Sequence, residues 1–175
     1  MTPHRGRRSP ARRKERRKRD VFDLCSKGRF DDALRLMDSQ SSRRRGQKRF
    51  GLLRAAVLQC ANRRRTHEKY LLDLVSRFPQ DAEVTLEVAD FYHAWNQNRE
   101  AAIWLRATED NLRQYQSRNR NEVQEEMLTF KADLLARRGH RRAAQELLVA
   151  ALQSSPHSWR LAWSLNLLHD KRRAR

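Results

Sequence analysis

Apolar residues recur at helical spacing along most of this chain. Leu128, Ala132 and Leu135 share one helix face, and Ala144, Leu147, Leu148 and Ala151 share another, with polar residues filling the positions between them. Short polar breaks separate such segments. Gly28-Arg29-Phe30-Asp31-Asp32-Ala33-Leu34 reads as a tight break followed by a fresh helix. A step of 34 residues from Gly28 reaches Asn62 and a second reaches Asn96, both in polar breaks; the fourth break, Gly139, comes 43 residues later, which places a nine-residue insertion around Gln116 to Gln124. A fixed period of roughly 20 to 50 residues marks stacked helical repeats. No single helix pair buries its apolar stripe alone, so neighbouring pairs share a core, and small residues at the crossings let the helices approach closely. Pro79 and Pro156 end helices because proline cannot continue the backbone ladder, and the aspartate and serine residues after them suit caps for the next helix.

The unit from Glu125 to Ser158 resembles a tetratricopeptide repeat. Leu128, Ala132, Leu135, Gly139, Ala144, Leu148, Ala151 and Pro156 stand at the family's eight signature spacings. Units starting near Lys14, Lys48 and Ala82 are more degenerate. The second keeps Ala55, Leu58, Leu71, Leu74 and Pro79 but has Gly51, Arg54 and His67 where apolar or small residues are usual; the third keeps Ala89, Tyr92, Ala101 and Leu105 but has Thr108 and Arg113 in place of alanine and proline. The first unit has a short first helix and no closing proline. The resemblance covers residues 14 to 175 and implies an all-α fold: a right-handed α-solenoid of antiparallel helix pairs, about 3.5 to 4 units near 14–47, 48–81, 82–124 and 125–158, with a capping helix at 159–170. A helical-repeat domain at 20–170 is then expected between basic segments at 1–19 and 171–175.

Charge changes the picture at the ends. The 175 residues hold 39 Lys+Arg against 21 Asp+Glu, a formal net charge of +18. Half of that excess lies in residues 1–19, where Arg5, Arg7, Arg8, Arg12, Arg13, Lys14, Arg16, Arg17, Lys18 and Arg19 face the single acid Glu15. A run of like charges without apolar residues cannot repay the entropy of folding, so residues 1 to about 13 are expected to be disordered, with helix from about Arg12 onward. Arginine outnumbers lysine 32 to 7. Guanidinium grips two phosphate oxygens at once and stacks on bases, which points the tail to RNA, DNA or another polyanion; arginine-rich codon usage accounts for the overall bias equally well. A nuclear-import signal (RRKERRKR) or a solubility tail is the other reading. Further cations fall at the turns within pairs: Lys27 and Arg29, then Arg63, Arg64 and Arg65, then Arg99, then Arg137, Arg138, Arg141 and Arg142. They define an edge able to follow a phosphate backbone, with Trp95 and Trp104 either stacking on bases or, the commoner use of tryptophan, buried in the core. Arg43, Arg44, Arg45, Lys48 and Arg49 fall on the opposite edge.

In the resembling family the first helices of the units line a groove. The corresponding positions here are Arg49, Leu52, Ala56 and Gln59, then Glu83, Leu86, Asp90 and His93, then Glu126, Thr129 and Asp133. Two of these sets are acidic, and the cationic clamp with which some members hold a chaperone carboxyl terminus is absent. Such a groove suits a protein partner with a basic segment, or this chain's own tail; a solvated helix face is the plainer reading. In the last helix Trp159, Trp163 and Leu167 form one apolar flank and Leu161, Leu165 and Leu168 another, so either a partner or second copy packs there or the core thickens around the tryptophans.

Nothing in the sequence points to catalysis. The six histidines, His4, His67, His93, His140, His157 and His169, show no metal-ligand spacing, and phosphate-loop, dinucleotide and hydrolase-elbow motifs are missing. Asp90 and His93, one turn apart, are the nearest approach to a reactive pair. Cys25 and Cys60 are too few for a disulfide framework and read as small buried apolar residues. No membrane span or signal peptide is evident, so the expected setting is intracellular, nuclear in a eukaryote and otherwise cytoplasmic. The expected function is a non-enzymatic scaffold without cofactor, whose helical repeats hold protein partners while its basic tails anchor it to nucleic acid or a ribonucleoprotein. The alternative is a protein-only adaptor or chaperone.

Overall fold

The computed structural model describes residues 20–40 and 46–170, and these residues form helices and short connections with no strand among them. We number the helices α1 (20–26), α2 (Phe30–Asp38), α3 (Lys48–Cys60), α4 (Arg64–Arg77), α5 (Ala82–Ala94), α6 (Asn98–Gln114), α7 (Arg120–Arg137), α8 (Arg141–Ser154) and α9 (Trp159–Asp170). The ten cations expected in the tail, the helix onset near Arg12, Arg43 to Arg45, and the basic segment 171–175 lie outside the described residues. The fold is all-α.

The four breaks spaced along the sequence are the four described residues with positive φ: Gly28 (70°), Asn62 (52°), Asn96 (57°) and Gly139 (87°). Each closes its turn with the same two backbone bonds. Gly139 N–H donates to the Ala136 carbonyl at 3.1 Å and His140 N–H to Leu135 at 2.9 Å; Asn96 to His93 and Gln97 to Tyr92 repeat the pattern at 2.9 and 2.8 Å. Gly28 with Arg29 and Asn62 with Arg63 do likewise. This is the Schellman ending of a helix, which requires a left-handed residue just past the last turn, and only glycine or asparagine takes that conformation at low cost.

Connections between pairs use different chemistry. Asp81, two residues after Pro79, caps α5 by accepting from Glu83 and Val84 N–H at 3.1 and 3.2 Å. Ser158 accepts weakly from Leu161 N–H at 3.4 Å and donates to Glu125 at 2.7 Å. The expected insertion at Gln116 to Gln124 is divided: residues 116–119 lie in the connection and 120–124 open α7. The connection after α6 runs only from Tyr115 to Asn119, and the extra length goes into α6, with 17 residues, and α7, with 18, against 13 in α5 and 14 in α8. Helix wins because Val123 and Tyr115 find burial, which anchors both helix ends.

The chain divides into two compact units, Met1–Tyr70 and Leu71–Arg175. In the first, Val21, Ala33, Leu34, Met37, Val57 and Leu58 form a core against which Phe30, Phe50 and Tyr70 pack. Arg54, at a position where the repeat resemblance expects a small or apolar residue, is accommodated by an ion pair with Asp38 at 2.6 Å and by the Tyr70 ring beneath its guanidinium. His67 is buried, which pushes its pKa below the ordinary histidine value. The cysteines depart from expectation: Cys25 is half-buried, and Cys60, at the very end of α3, is exposed.

In the second unit α5 packs on α6, α6 on α7, α7 on α8, and α9 against α7 and α8; α5 and α7 also touch. Ala132, Ala144, Leu148, Leu161 and Leu168 form one core cluster. Thr108 is fully buried and donates to the Trp104 carbonyl at 2.9 Å, with the Thr85 hydroxyl 3.1 Å away, so the polar group that replaces alanine is satisfied internally.

At Gly139 nothing lies within 4 Å of an added Cβ, so any cost of a side chain there is purely conformational. Gly139→Ala is expected to lower stability by about 1 kcal/mol, and Gly139→Asn by less than half of that, in urea denaturation of the full chain.

Candidate functional site

Helices α5 and α7 bring the acidic positions together in the second unit. A cavity of about 390 Å³ is bounded by Leu86, Asp90 and His93 from α5, by Glu126, Phe130 and Asp133 from α7, and by Arg160, Ser164 and Leu167 from α9. A second cavity of about 120 Å³ is bounded by Glu83, Glu87 and Asp90, by Glu122 and Glu126, and again by Arg160. Leu86, Asp90, Glu126 and Arg160 border both, so the two spaces form one groove.

The groove differs from the expected row of exposed positions. Asp90 and Glu126 are exposed, but Leu86 and His93 are buried. His93 Nε2 bonds Asp133 Oδ2 at 2.8 Å and its ring meets Phe130 edge-on at 4.5 Å between centroids. Its partner is therefore Asp133, and not Asp90 as the one-turn spacing had indicated. Asp133 also accepts from Arg137 Nε at 2.9 Å. The His93 bond, then the Arg137 charge, hold the Asp133 carboxyl below the usual aspartate value against the opposing effect of burial.

Electrostatics at the other end of the groove run the opposite way. Burial pushes the Glu87 carboxyl up to about 7, and Asp90, Glu126 and Glu83 add to the rise. Glu126 is also raised, first by desolvation; Arg160, with Nη1 3.6 Å from its carboxylate, works against that rise. Arg160 also donates to the Glu122 carbonyl at 3.3 Å. Among the described residues it is the one arginine or lysine bordering either cavity. These carboxylates do not converge as a metal cage would: no group of three His, Cys, Asp or Glu among the described residues is placed to hold a metal ion.

No protein-family model matches the chain, and neither does any curated protein sequence. The site rests on its own geometry.

Glu87, Glu122 and Arg160 are participants that sequence reasoning passed over. Glu87 lies one helical turn from both Glu83 and Asp90, and Glu122 one turn before Glu126, so a ladder of carboxylates at helical spacing was readable. Arg160 gave no such signal, because its role depends on how α9 packs.

The remaining expected residues divide. Trp159, Trp163 and Leu167 stand out of the core, 74%, 61% and 46% exposed, while Leu161 and Leu168 are buried beneath them. Among the described residues the core does not thicken around these two tryptophans. Of the turn arginines, Arg63 pairs with Asp31, Arg137 also reaches Asn96 Oδ1 at 3.0 Å, Arg138 donates to the Asn98 carbonyl at 3.0 Å, and Arg142 pairs with Glu146 at 3.0 Å. Arg64, Arg65 and Arg141 sit at the same turns, Arg64 and Arg65 exposed and Arg141 half-buried. Trp95 is exposed and Trp104 half-buried, so neither is the buried core residue expected. Trp95 follows the last residue of α5 and sits at the turn instead of on a packed face.

Because Glu87 holds its proton up to about 7 in the folded chain against 4.5 ordinarily, the folded state binds more protons between those values, and stability falls as pH rises through that window. Glu87→Gln removes this loss. Melts between pH 5 and 8 should show the variant's advantage growing with pH to about 1–3 kcal/mol above pH 7.

Proposed function

We propose that this protein is a non-enzymatic helical-repeat scaffold that holds a protein partner in the acidic groove and anchors itself to nucleic acid or a ribonucleoprotein through its basic tail. The observation that carries the reading is the groove: five carboxylates from α5 and α7, Glu83, Glu87, Asp90, Glu122 and Glu126, border one cavity with Arg160 as their opposing cation. Like-charge crowding supports it, since repulsion that opposes folding would be relieved by a cationic partner. The finer architecture belongs to the same proposal: a right-handed α-solenoid of tetratricopeptide-like pairs. Support comes from the shared Schellman turns and from α5 touching α7 across successive pairs.

The nucleic-acid half draws on the ten cations within residues 1–19. Contacts of that kind neutralise phosphates without reading sequence. The second reading, a protein-only adaptor whose tail is an import or docking signal, is favoured by the internal engagement of Arg63, Arg137, Arg138 and Arg142. Among the described residues no helix is long and apolar enough to cross a membrane. A nuclear setting in a eukaryote, and otherwise the cytoplasm, goes with the proposal.

Fluorescence anisotropy with single-stranded RNA and duplex DNA across a salt series, for the full chain and for one lacking residues 1–19, separates the readings. The scaffold anchored by its tail binds with an affinity that falls by roughly 0.7 log units per log unit of salt for each single-strand phosphate neutralised, and truncation abolishes it. No binding by the full chain rejects the nucleic-acid half. Undiminished binding after truncation assigns it to the turn arginines instead of the tail.

A further inference from the structure

We infer that the groove receives a basic amphipathic segment of another protein, whose arginine or lysine heads meet the α5 and α7 carboxylates while its apolar side lies on Trp163 and Leu167 of α9. The inference rests on the groove being a protein-binding site and adds what the partner must look like.

Two features of the larger cavity select an amphipathic occupant over a merely cationic one. Its floor is apolar, with Leu86, Phe130, Leu148 and Leu168, whereas Asp90, Glu126 and Asp133 supply the acid. A long basic side chain fits that gradient, stem on the hydrocarbon and head at the carboxylates. At about 390 Å³ it lies at the small end of ligand sites, which suits one or two side chains entering from a segment that stays outside. The smaller cavity, acidic on both walls, takes a second cationic head.

The apolar stripe on α9 is continuous with this groove. Trp159, Trp163 and Leu167 follow one another at four-residue intervals, so they share one helix face, and Leu167 itself borders the larger cavity. Exposed aromatic residues next to an acidic cleft are the arrangement that grips an amphipathic helix by apolar anchors and flanking charges. A metal ion is a poor alternative occupant, because the carboxylates are spread along two helices and not gathered around a point. The chain's overall +18 does not oppose a basic partner at this place: at physiological salt, charges beyond about 8 Å are largely screened, and contact carboxylates decide.

Arg160 is the resident cation of the site. It stands 3.6 Å from Glu126 and borders both cavities, so an incoming guanidinium must share or replace its place. Cation binding also draws the proton from Glu87, which faces Glu83 and Asp90 on its own helix, Glu122 and Glu126 on α7, and Arg160 on α9. Affinity therefore rises with pH between 6 and 8.

The test uses the full chain and two dye-labelled peptides with identical arginines, one with leucines at helical spacing and one with serines in their place. Anisotropy titrations should give the leucine peptide at least about tenfold tighter binding. Trp163→Ala and Leu167→Ser, both at exposed positions that leave the fold intact, should weaken the leucine peptide alone. Glu126→Gln and Asp90→Asn should weaken both peptides about 2- to 10-fold each, and Arg160→Gln should strengthen both. Equal affinity for the two peptides, still sensitive to Glu126→Gln, overturns the amphipathic inference and leaves the acidic groove standing. No binding by either overturns the groove reading itself. If deleting residues 1–19 raises peptide affinity more than about tenfold, the occupant is the chain's own tail and the assignment to another protein is overturned.

Discussion

A left-handed residue one step past the end of a helix is the constraint from which the rest of the described structure follows. At Gly28, Asn62, Asn96 and Gly139 it reverses the chain within three residues and fixes which faces of the two flanking helices meet. The asparagines do more than the glycines can. Asn96 supplies the conformation and, through its Oδ1, accepts from Arg137, which bonds Asp133, which in turn bonds His93 on the helix that Asn96 terminates. A turn between α5 and α6 is thereby tied to the C-terminal end of α7, and α7 is held where its acidic residues oppose those of α5.

Thr108 and Arg54, polar residues at positions that the repeat resemblance reserves for small apolar ones, are tolerated because each brings its own partner. Thr108 and Thr85 hydrogen-bond inside the second unit, with Asn111 donating to Thr85 and to the Pro79 carbonyl at 3.4 and 3.2 Å. Arg54 turns to Asp38. A hydroxyl or guanidinium so satisfied costs little relative to alanine, whereas an unpaired one would cost several kcal/mol, roughly the margin on which small domains survive. Degeneracy of the repeat signature is thus compensated locally, pair by pair.

How much was legible follows from how local the cause is. The four turns were readable because a left-handed position selects glycine or asparagine within a few residues, and the helix faces were readable because burial repeats at 3.6. The length of α6 and α7 was not: residues 116–124 contain no helix-breaking proline or glycine, and whether they loop or wind depends on whether Val123 and Tyr115 find burial, a tertiary question. For the groove, Glu83, Leu86, Asp90, His93, Glu126 and Asp133 do come to one place, since family-like spacing names helix faces. Burial of Leu86 and His93 and the arrival of Arg160 were hidden, because α9 forms the third wall and its docking leaves no periodic trace in the helices it covers. The exposure of Trp159 and Trp163 was likewise a choice between two apolar flanks, and it is Leu161 and Leu168 that pack with Ala132, Ala144 and Leu148 of α7 and α8.

The charges of this chain serve two ends through the same physics. At the turns and helix surfaces, cations are spent internally on nearby acceptors, and exposed pairs of that kind contribute at most about 1 kcal/mol each while lowering the charge available to a partner. In the groove the carboxyls of Glu87 and Glu126 are raised by desolvation and by neighbouring carboxylates, and Arg160 opposes the rise at Glu126. If the groove binds the basic partner we propose, free energy stored by crowding carboxylates is returned when a cation enters, so the crowding that costs stability would strengthen the association. Under that proposal the two acidic walls belong with the one arginine that borders them among the described residues: fewer carboxylates would give a more stable fold and a weaker site.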